Sequence, residues 1–337
     1  MLDVTFAGWA ATIGLVVALF ALDLFVSRPG HAHVIGFREA TVASLFFVGV
    51  AVGFGVVFGL IAGWDFGTEY FAGYIVEKSL SVDNLFVFVV ILSSFAVPPE
   101  HQQRVLTFGI LLALGMRTVL IAVGAALISA FSFMFLIFGL LLVGTAIQLF
   151  RHRDQDPDIE DNALVRLTRR LMPVTSQYHD GRMVTRVDGR RVATPLFIAL
   201  IAIGSSDLLF ALDSIPAVFG VTDEPFIVFA ANAFALLGLR ALYFLVTGLL
   251  DRLVYLSIGL AAVLAFIGVK LVLEALATNQ VPFINGGEPV KWAPHIPIWL
   301  SLTVIIGTLV LATVASLWKS GRDRRRATVR EREVAKS

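Results

Sequence analysis

The chain has 337 residues, 58% of them hydrophobic and 15% charged, with a mean hydropathy of +0.86 and a formal net charge of +1. So apolar a chain of this length excludes a soluble globular domain and predicts a polytopic membrane protein. Cysteine is absent, which excludes a disulfide framework, a thiolate metal site and a thiol nucleophile; the small net charge is unevenly distributed and implies no nucleic-acid partner.

The N-terminus lacks a Lys/Arg leader and its first apolar run exceeds a signal-peptide core, so it reads as a retained span. At about 20 apolar residues per crossing, the chain predicts nine spans, near residues 7–27, 40–62, 70–93, 105–128, 131–150, 194–218, 226–247, 253–275 and 296–318. Cytoplasmic loops carry the Lys/Arg excess. Arg28 and Arg38, Arg104, the stretch Arg151 to Arg191, Arg252 and the tail from Lys319 fall on alternate sides of the spans, while the opposite loops 63–69 and 220–225 have no Lys or Arg and 279–295 has only Lys291. The expected orientation is N-terminus outside and C-terminus in the cytoplasm.

The third span breaks the apolar pattern with Glu77-Lys78-Ser79-Leu80-Ser81-Val82-Asp83-Asn84. Each charge at bilayer depth costs roughly 2.5 to 3.5 kcal/mol on insertion scales, so the three ionisable groups set about 8 to 10 kcal/mol against insertion unless the protein compensates them. The sixth span repeats the pattern in Asp207-Leu208-Leu209-Phe210-Ala211-Leu212-Asp213-Ser214: two carboxyls six residues apart, then a small polar residue. Leu114-Gly115-Met116-Arg117-Thr118 follows the first acidic span and Leu237-Gly238-Leu239-Arg240-Ala241 the second; the third members share a glycine in Leu142-Val143-Gly144 and Phe266-Ile267-Gly268. Spans 3–5 and 6–8 therefore read as two copies of one three-helix unit. With an odd number of crossings per unit the second copy is inverted, an architecture that places ion sites near the midplane. The expected blocks are two peripheral helices (1–62), the first repeat (63–150), a cytoplasmic loop (151–193), the inverted repeat (194–276), an outer loop with the last span (277–318) and a basic tail (319–337).

In the cytoplasmic loop, residues 154–161 read as an acidic linker. Leu164, Leu167 and Leu171 share one face of a helix suited to anionic headgroups. Residues 183–192 read as a hairpin with an Asp-Gly turn. The tail reads as a disordered basic run attracted to lipid.

On an ideal helix, residues six apart lie about 120° and 9 Å from each other, so Glu77 and Asp83 need a helix break to grip one ion. The candidate breaks are Gly204-Ser205-Ser206 and Pro216, whose unwound turns would offer carbonyl oxygens. A set of carboxylates with Ser81, Asn84, Ser206 and Ser214 is all oxygen and suits a hard divalent cation, manganese, magnesium or calcium. None of the six histidines (His31, His33, His101, His152, His179 and His295) falls inside a span. Four buried cations, Lys78, Arg117, Arg240 and Lys270, face the four acids Glu77, Asp83, Asp207 and Asp213. Two readings stand: permanent ion pairs that join helices, or cations and protons that neutralise the acids when the ion is absent. Lys270 and Glu274 read as a local pair. Asn232 reads as a ligand or an interhelical hydrogen-bonding group, and Asp23 as a vestibule acid or a snorkelling surface group.

The stretches Glu77 to Phe88, Ala193-Thr194-Pro195-Leu196-Phe197, Asp207 to Ala217, Leu237-Gly238-Leu239-Arg240 and Leu242-Tyr243-Phe244 resemble the TerC/Alx family of integral membrane proteins, over a match running from about His33 through Arg38-Glu39-Ala40 to Glu274. The resemblance implies a bacterial cytoplasmic-membrane protein of a family linked by name to tellurium resistance, to manganese export, and in some bacteria to supplying metal to secreted enzymes. Carried over, the family's essential membrane acids fall on Glu77, Asp83, Asp207 and Asp213. Family members commonly have an acid three positions before the residue matching Asp207; here Gly204 stands there, removing one expected ligand or proton carrier. The leading expectation is a non-enzymatic exporter of a divalent cation, manganese first, exchanging it for protons and holding no permanent cofactor. The competing classes are a metallation partner that hands the ion to secreted proteins, and an intramembrane hydrolase with paired aspartates, for which no nucleophile-base set is recognisable.

Overall fold

The computed structural model describes residues 2, 4–26, 36–131, 133–151, 163–175, 182–187, 190–247, 255–277, 285, 288–290, 292–294 and 296–334. Helices dominate: α1 (Phe6–Val26), α2 (Phe37–Ala62), α3 (Trp64–Ser94), α4 (Pro99–Ala130), α5 (Met134–Arg151), α6 (Ala163–Leu171), α7 (Pro195–Phe219), α8 (Pro225–Leu236), α9 (Leu239–Val246), α10 (Leu256–Ala277) and α11 (Ile298–Val334). Among the described residues seven helices are long and apolar enough to cross a membrane, or eight if the bent pair α8 and α9 is one span. The chain is thus an all-α multi-pass membrane protein. At 31 residues α3 is also long enough to cross, but Glu77, Lys78 and Asp83 sit in its middle.

Two compact units cut across the expected sequence blocks: Met1–Phe131 with Gln155–Leu245, and Ser132–Asp154 with Val246–Ser337. In the first, α3 and α7 are the central helices. Lipid tails give helices no hydrophobic reason to associate, so small residues that admit close approach decide the packing. A Cβ on Gly109 would lie 2.9 Å from Ile203 Cγ2, one on Gly204 2.7 Å from Leu112 Cδ2, and one on Gly124 3.2 Å from the Phe219 ring. These contacts rise together in residue number, so α4 and α7 run parallel. α3 and α8 also run parallel, since Gly73 faces Ala231 and Lys78 reaches Ala235. α3 and α7 run antiparallel: Gly73 faces Val218, and Thr222 Oγ1 donates to Glu69 Oε2 at 2.5 Å. Rings of α1, α2, α3 and α8 fill one side, with Phe54 and Phe234 centroids 4.4 Å apart and Trp9 edge-on to Phe226 at 5.0 Å. Tyr70, wholly buried, places its hydroxyl on Ala51 O at 3.0 Å, so its polar tip is satisfied where water is absent.

The expected break in span six is not there. α7 is helical through Gly204, Ser205, Ser206 and Pro216. Gly204 lets the end of Leu112 pack close, and Ser205 Oγ folds back on Ala202 O at 2.9 Å. Pro216 withholds one donor from the carbonyl four residues back, but the helix runs past it to Phe219 and Gly220 N closes on Pro216 O at 2.9 Å. The break falls in span seven instead. α8 ends at Leu236, Gly238 takes φ +73°, and α9 leaves at 44°.

In the second unit α5 packs along α10. A Cβ on Gly139 would lie 2.8 Å from Gly268 O, and one on Gly268 2.8 Å from Gly139 O, a reciprocal contact at which only glycine fits. Gly144, the position matched to Gly268 between the two copies, has nothing within 4 Å of a Cβ. The tail also differs from expectation. α11 continues through the basic run to Val334, because the alternation of Arg and Glu after Arg326 consists of good helix formers.

Of the cytoplasmic loop, the acidic linker, the Asp188-Gly189 turn and most of the outer loop 279–295 lie outside the described residues. α6 spans the expected residues; it buries Val165 and leaves Leu164, Leu167 and Leu171 exposed. The strands β1 (Val184–Val187) and β2 (Arg190–Ala193) pair antiparallel, with Val187 opposite Arg190, as a two-residue turn requires.

Candidate ion site

The parallel packing of α4 on α7 brings Arg117 level with Asp207, and the antiparallel crossing of α3 brings Glu77 to the same place. Arg117 and Glu77 are wholly buried and Asp207 is 1% exposed. Arg117 Nε donates to Asp207 Oδ2 at 3.1 Å and Nη2 to Oδ1 at 3.0 Å, a two-pronged fork. Its Nη1 donates to Glu77 Oε1 and, at 3.3 Å, to Ser214 Oγ. Asn84, with its amide oriented to satisfy both neighbours, accepts from Arg117 Nη2 at 3.1 Å and donates to Leu80 O at 3.0 Å. One guanidinium thus spans two carboxylates, a hydroxyl and an amide from three helices.

The four acids do not form one cage. Glu77 and Asp207 meet on Arg117, whereas Asp83 and Asp213, six residues further along α3 and α7, are half-buried. Both helices are unbroken, so the 120° and 9 Å separation of an ideal helix holds. Among the described residues no three acid or histidine side chains converge to hold a metal. Buried polar atoms remain unmatched nearby: Glu77 Oε2, Ser81 Oγ one turn further on, and both amide atoms of Asn232, on the helix packed against α3. Ser206, beside Asp207, is half-buried.

The cations separate into three environments. Lys78 Nζ donates to Ala235 O at 2.9 Å and Leu237 O at 3.4 Å, holding the carbonyls that the break after α8 sets free. Arg240, expected beside the acids as Arg117's counterpart, is instead carried away by that break; its Nη2 meets Asp23 Oδ1 at 2.8 Å and Asp23 O at 3.2 Å. Asp23 is thus half-buried and ion-paired with Arg240 at the end of its helix. The sequence held a signal for this pair, since both residues lie a few positions from the same expected face of the membrane. Lys270, 8% exposed, and Glu274 lie on α10 in the second unit.

The profile of the integral membrane protein TerC family matches residues 62–324. An uncharacterized membrane protein of Mycobacterium tuberculosis is 47% identical over 332 residues, 97% of this chain and 83% of that one. The chloroplastic thylakoid membrane protein TERC of Arabidopsis thaliana is 48% identical over 227 residues, 67% of this chain and 59% of that one. Alx of Escherichia coli, for which membrane-bound redox modulation is the suggested role, is 36% identical over 318 residues, 92% of this chain and 94% of that one. No solved structure matches. The acidic helices, the Leu-Gly-x-Arg strings and the helices that carry them all lie inside the matched region, and the chain belongs to the integral membrane protein TerC family.

Proposed function

We propose that this protein exports a hard divalent cation, manganese first, across the bacterial cytoplasmic membrane in exchange for protons. The observation that carries the reading is the Glu77–Arg117–Asp207 cluster: a buried cation already sits between two mid-helix carboxylates, and Glu77 Oε2 is left without a donor. In this reading Arg117 is the internal substitute for the transported ion. Removing a carboxylate's partner in a dry interior is costly, so the guanidinium holds the acids between cycles and gives them up as a metal ion or protons arrive. Glu77, Asp207, Ser81, Ser214, Asn84 and Asn232 would supply oxygen ligands, and Asp83 and Asp213, each about 9 Å along its own helix from Glu77 and Asp207 and in opposite directions because the helices are antiparallel, would mark the path.

Charge supports the same reading. The mid-helix ionisable residues of α3, α4 and α7 are Glu77, Lys78, Asp83, Arg117, Asp207 and Asp213. Four acids against two cations leaves a formal charge of −2, which one divalent cation or two protons would neutralise.

The ninth crossing is α3. The inverted repeat is supported by the helix directions: the matching first helices α3 and α7 run antiparallel, and each packs parallel to the second helix of the other copy. The membrane redox role suggested for Alx finds no thiol here, because the chain has no cysteine.

The test is reconstitution of the purified protein in liposomes holding a manganese-sensitive dye. Wild type alone should move manganese, and Asp83→Asn or Asp213→Asn should abolish flux while the inserted amount is unchanged. Flux that appears only with a secreted acceptor protein would favour metal delivery over autonomous transport; unchanged flux in both variants would remove these acids from the mechanism.

A further inference from the structure

Beside the start of α7, a short helix is tied into the first unit with an apolar stripe on its outer surface. α6 reads Ala-Leu-Val-Arg-Leu-Thr-Arg-Arg-Leu and packs on α7. Val165, 2% exposed, seats it against the protein, whereas Leu164, Leu167 and Leu171 are 42%, 49% and 73% exposed. Spaced at i, i+3 and i+7, the three leucines share one stripe. Arg166, Arg169 and Arg170, all exposed, occupy the rest of the surface, with Arg169 about 160° round the helix from Leu167. The segment after α6 fixes where the stripe sits. Ala193 N donates to Pro173 O and Thr175 N to Ala193 O, both at 2.9 Å, so residues 173–175 run beside the end of β2. Buried Thr194, the N-cap of α7, then donates through its N to Met183 O at 3.1 Å and through Oγ1 to the same oxygen at 3.0 Å, and its carbonyl accepts from Phe197 N at 3.1 Å. Val174 and Val184, 40% and 38% exposed, flank Ala193 in one row and extend the apolar surface beyond the helix.

We propose that α6 docks in the plane of the bilayer surface where α7 enters, with Leu164, Leu167 and Leu171 sunk among the upper acyl chains, and that this contact anchors the first turn of α7. α7 is long and apolar enough to cross a membrane, so its first turn marks the depth of the headgroups, and the backbone bonds at Ala193 and Thr194 hold the end of α6 beside it. Leucine on one stripe and arginine on the remainder is the pattern of a helix lying in the interface. At nine residues α6 is far too short to cross. The bilayer takes the leucines out of water, while the long arginine stems let their guanidiniums stay at water or phosphate depth. The anchor acts on α7 through backbone bonds, and α7 carries Asp207, so the docked helix sets the depth of one member of the acid cluster. The inference rests on α7 being a membrane span and not on which ion the protein carries.

The chain has no cysteine, so Leu167→Cys and Arg169→Cys each give the full-length protein a single site for the environment-sensitive fluorophore NBD. Both labelled proteins are placed in phosphatidylcholine nanodiscs, which leave the two faces of the bilayer open. The Leu167→Cys probe should emit to the blue of the Arg169→Cys probe, be quenched by a lipid spin-labelled near the top of its acyl chain, and be protected from iodide; the Arg169→Cys probe should show the reverse. A Leu167→Cys probe as open to iodide as the other would overturn the proposal. So would one shielded from iodide and from the lipid quencher alike, the sign of a protein cover such as a second copy. In unlabelled protein in the same nanodiscs, Leu167→Gln combined with Leu171→Gln, at two exposed sites, should speed hydrogen exchange at the amides of Thr175, Ala193 and Thr194. Exchange there at the wild-type rate would overturn the anchoring of α7.

Discussion

Replacing Arg117 by methionine gives the sharpest view of what holds the interior together. The substitution keeps a long side chain but removes the fork on Asp207 and the bond to Glu77, leaving two carboxylates that are 1% and 0% exposed without their cation. Removing one partner of a buried ion pair costs about 3–5 kcal/mol. The lost bonds to Ser214 and Asn84 add about 0.6 kcal/mol each, on the scale of interhelical hydrogen bonds in membranes, so charge and not hydrogen-bond number sets the outcome. Arg117→Met should therefore destabilise the protein by about 4–6 kcal/mol. Arg117→Lys keeps the charge and loses the planar fork, and should cost less. Adding Glu77→Gln and Asp207→Asn to Arg117→Met should recover most of the loss, because the stranded charges go with the cation. The assay is the temperature at which the monodisperse peak in fluorescence-detected size exclusion falls by half. An unchanged midpoint in Arg117→Met, or a triple variant no better than the single, would refute the claim that the guanidinium compensates these two acids.

The two Leu-Gly-x-Arg strings should respond oppositely to alanine. Gly238→Ala forces a side chain into φ +73°, at about 1–2 kcal/mol, and sets a Cβ 2.8 Å from Phe47 Cβ, whereas Gly115→Ala meets nothing within 4 Å and should gain up to about 1 kcal/mol of helix propensity; thermal midpoints compare them. Lys78→Met strands the carbonyls of Ala235 and Leu237 at about 1–3 kcal/mol, and should speed hydrogen exchange at the α8–α9 corner before the rest of the first unit. Gly139→Val and Gly268→Val should each force α5 and α10 apart and lower the midpoint, while Gly144→Ala, like Gly115→Ala, should not lower it.

Much of this arrangement was legible in the residues. Apolar length located most of the long helices to within a few residues, since twenty apolar residues in lipid have only a helix available to satisfy their backbone. The pairing of the Glu77 and Asp207 segments, and Arg117 as a buried partner, followed from the cost of leaving mid-helix charges alone. What escaped was the geometry within the helices. Gly204, Ser205 and Ser206 looked like a weak point, but a glycine facing Leu112 is a packing surface and a serine can return its hydroxyl to its own helix. The true corner needed Gly238 at positive φ together with a lysine from another helix to take up the freed carbonyls, and composition along one segment carries no record of the second condition. The partition of Arg240 to Asp23 follows from that corner and was hidden for the same reason.

That corner also bears on which sign of ion the interior tolerates. Had span seven stayed straight, a second guanidinium could have joined the first among the mid-helix acids, and the centre would have been closer to electrically even. By steering Arg240 to Asp23, one backbone dihedral two residues back along the chain leaves the mid-helix centre of the first unit electronegative. Chloride or phosphate would be repelled there before any ligand geometry was consulted, so discrimination between cations and anions would rest on the shape of the chain at a single glycine and not on a selectivity filter.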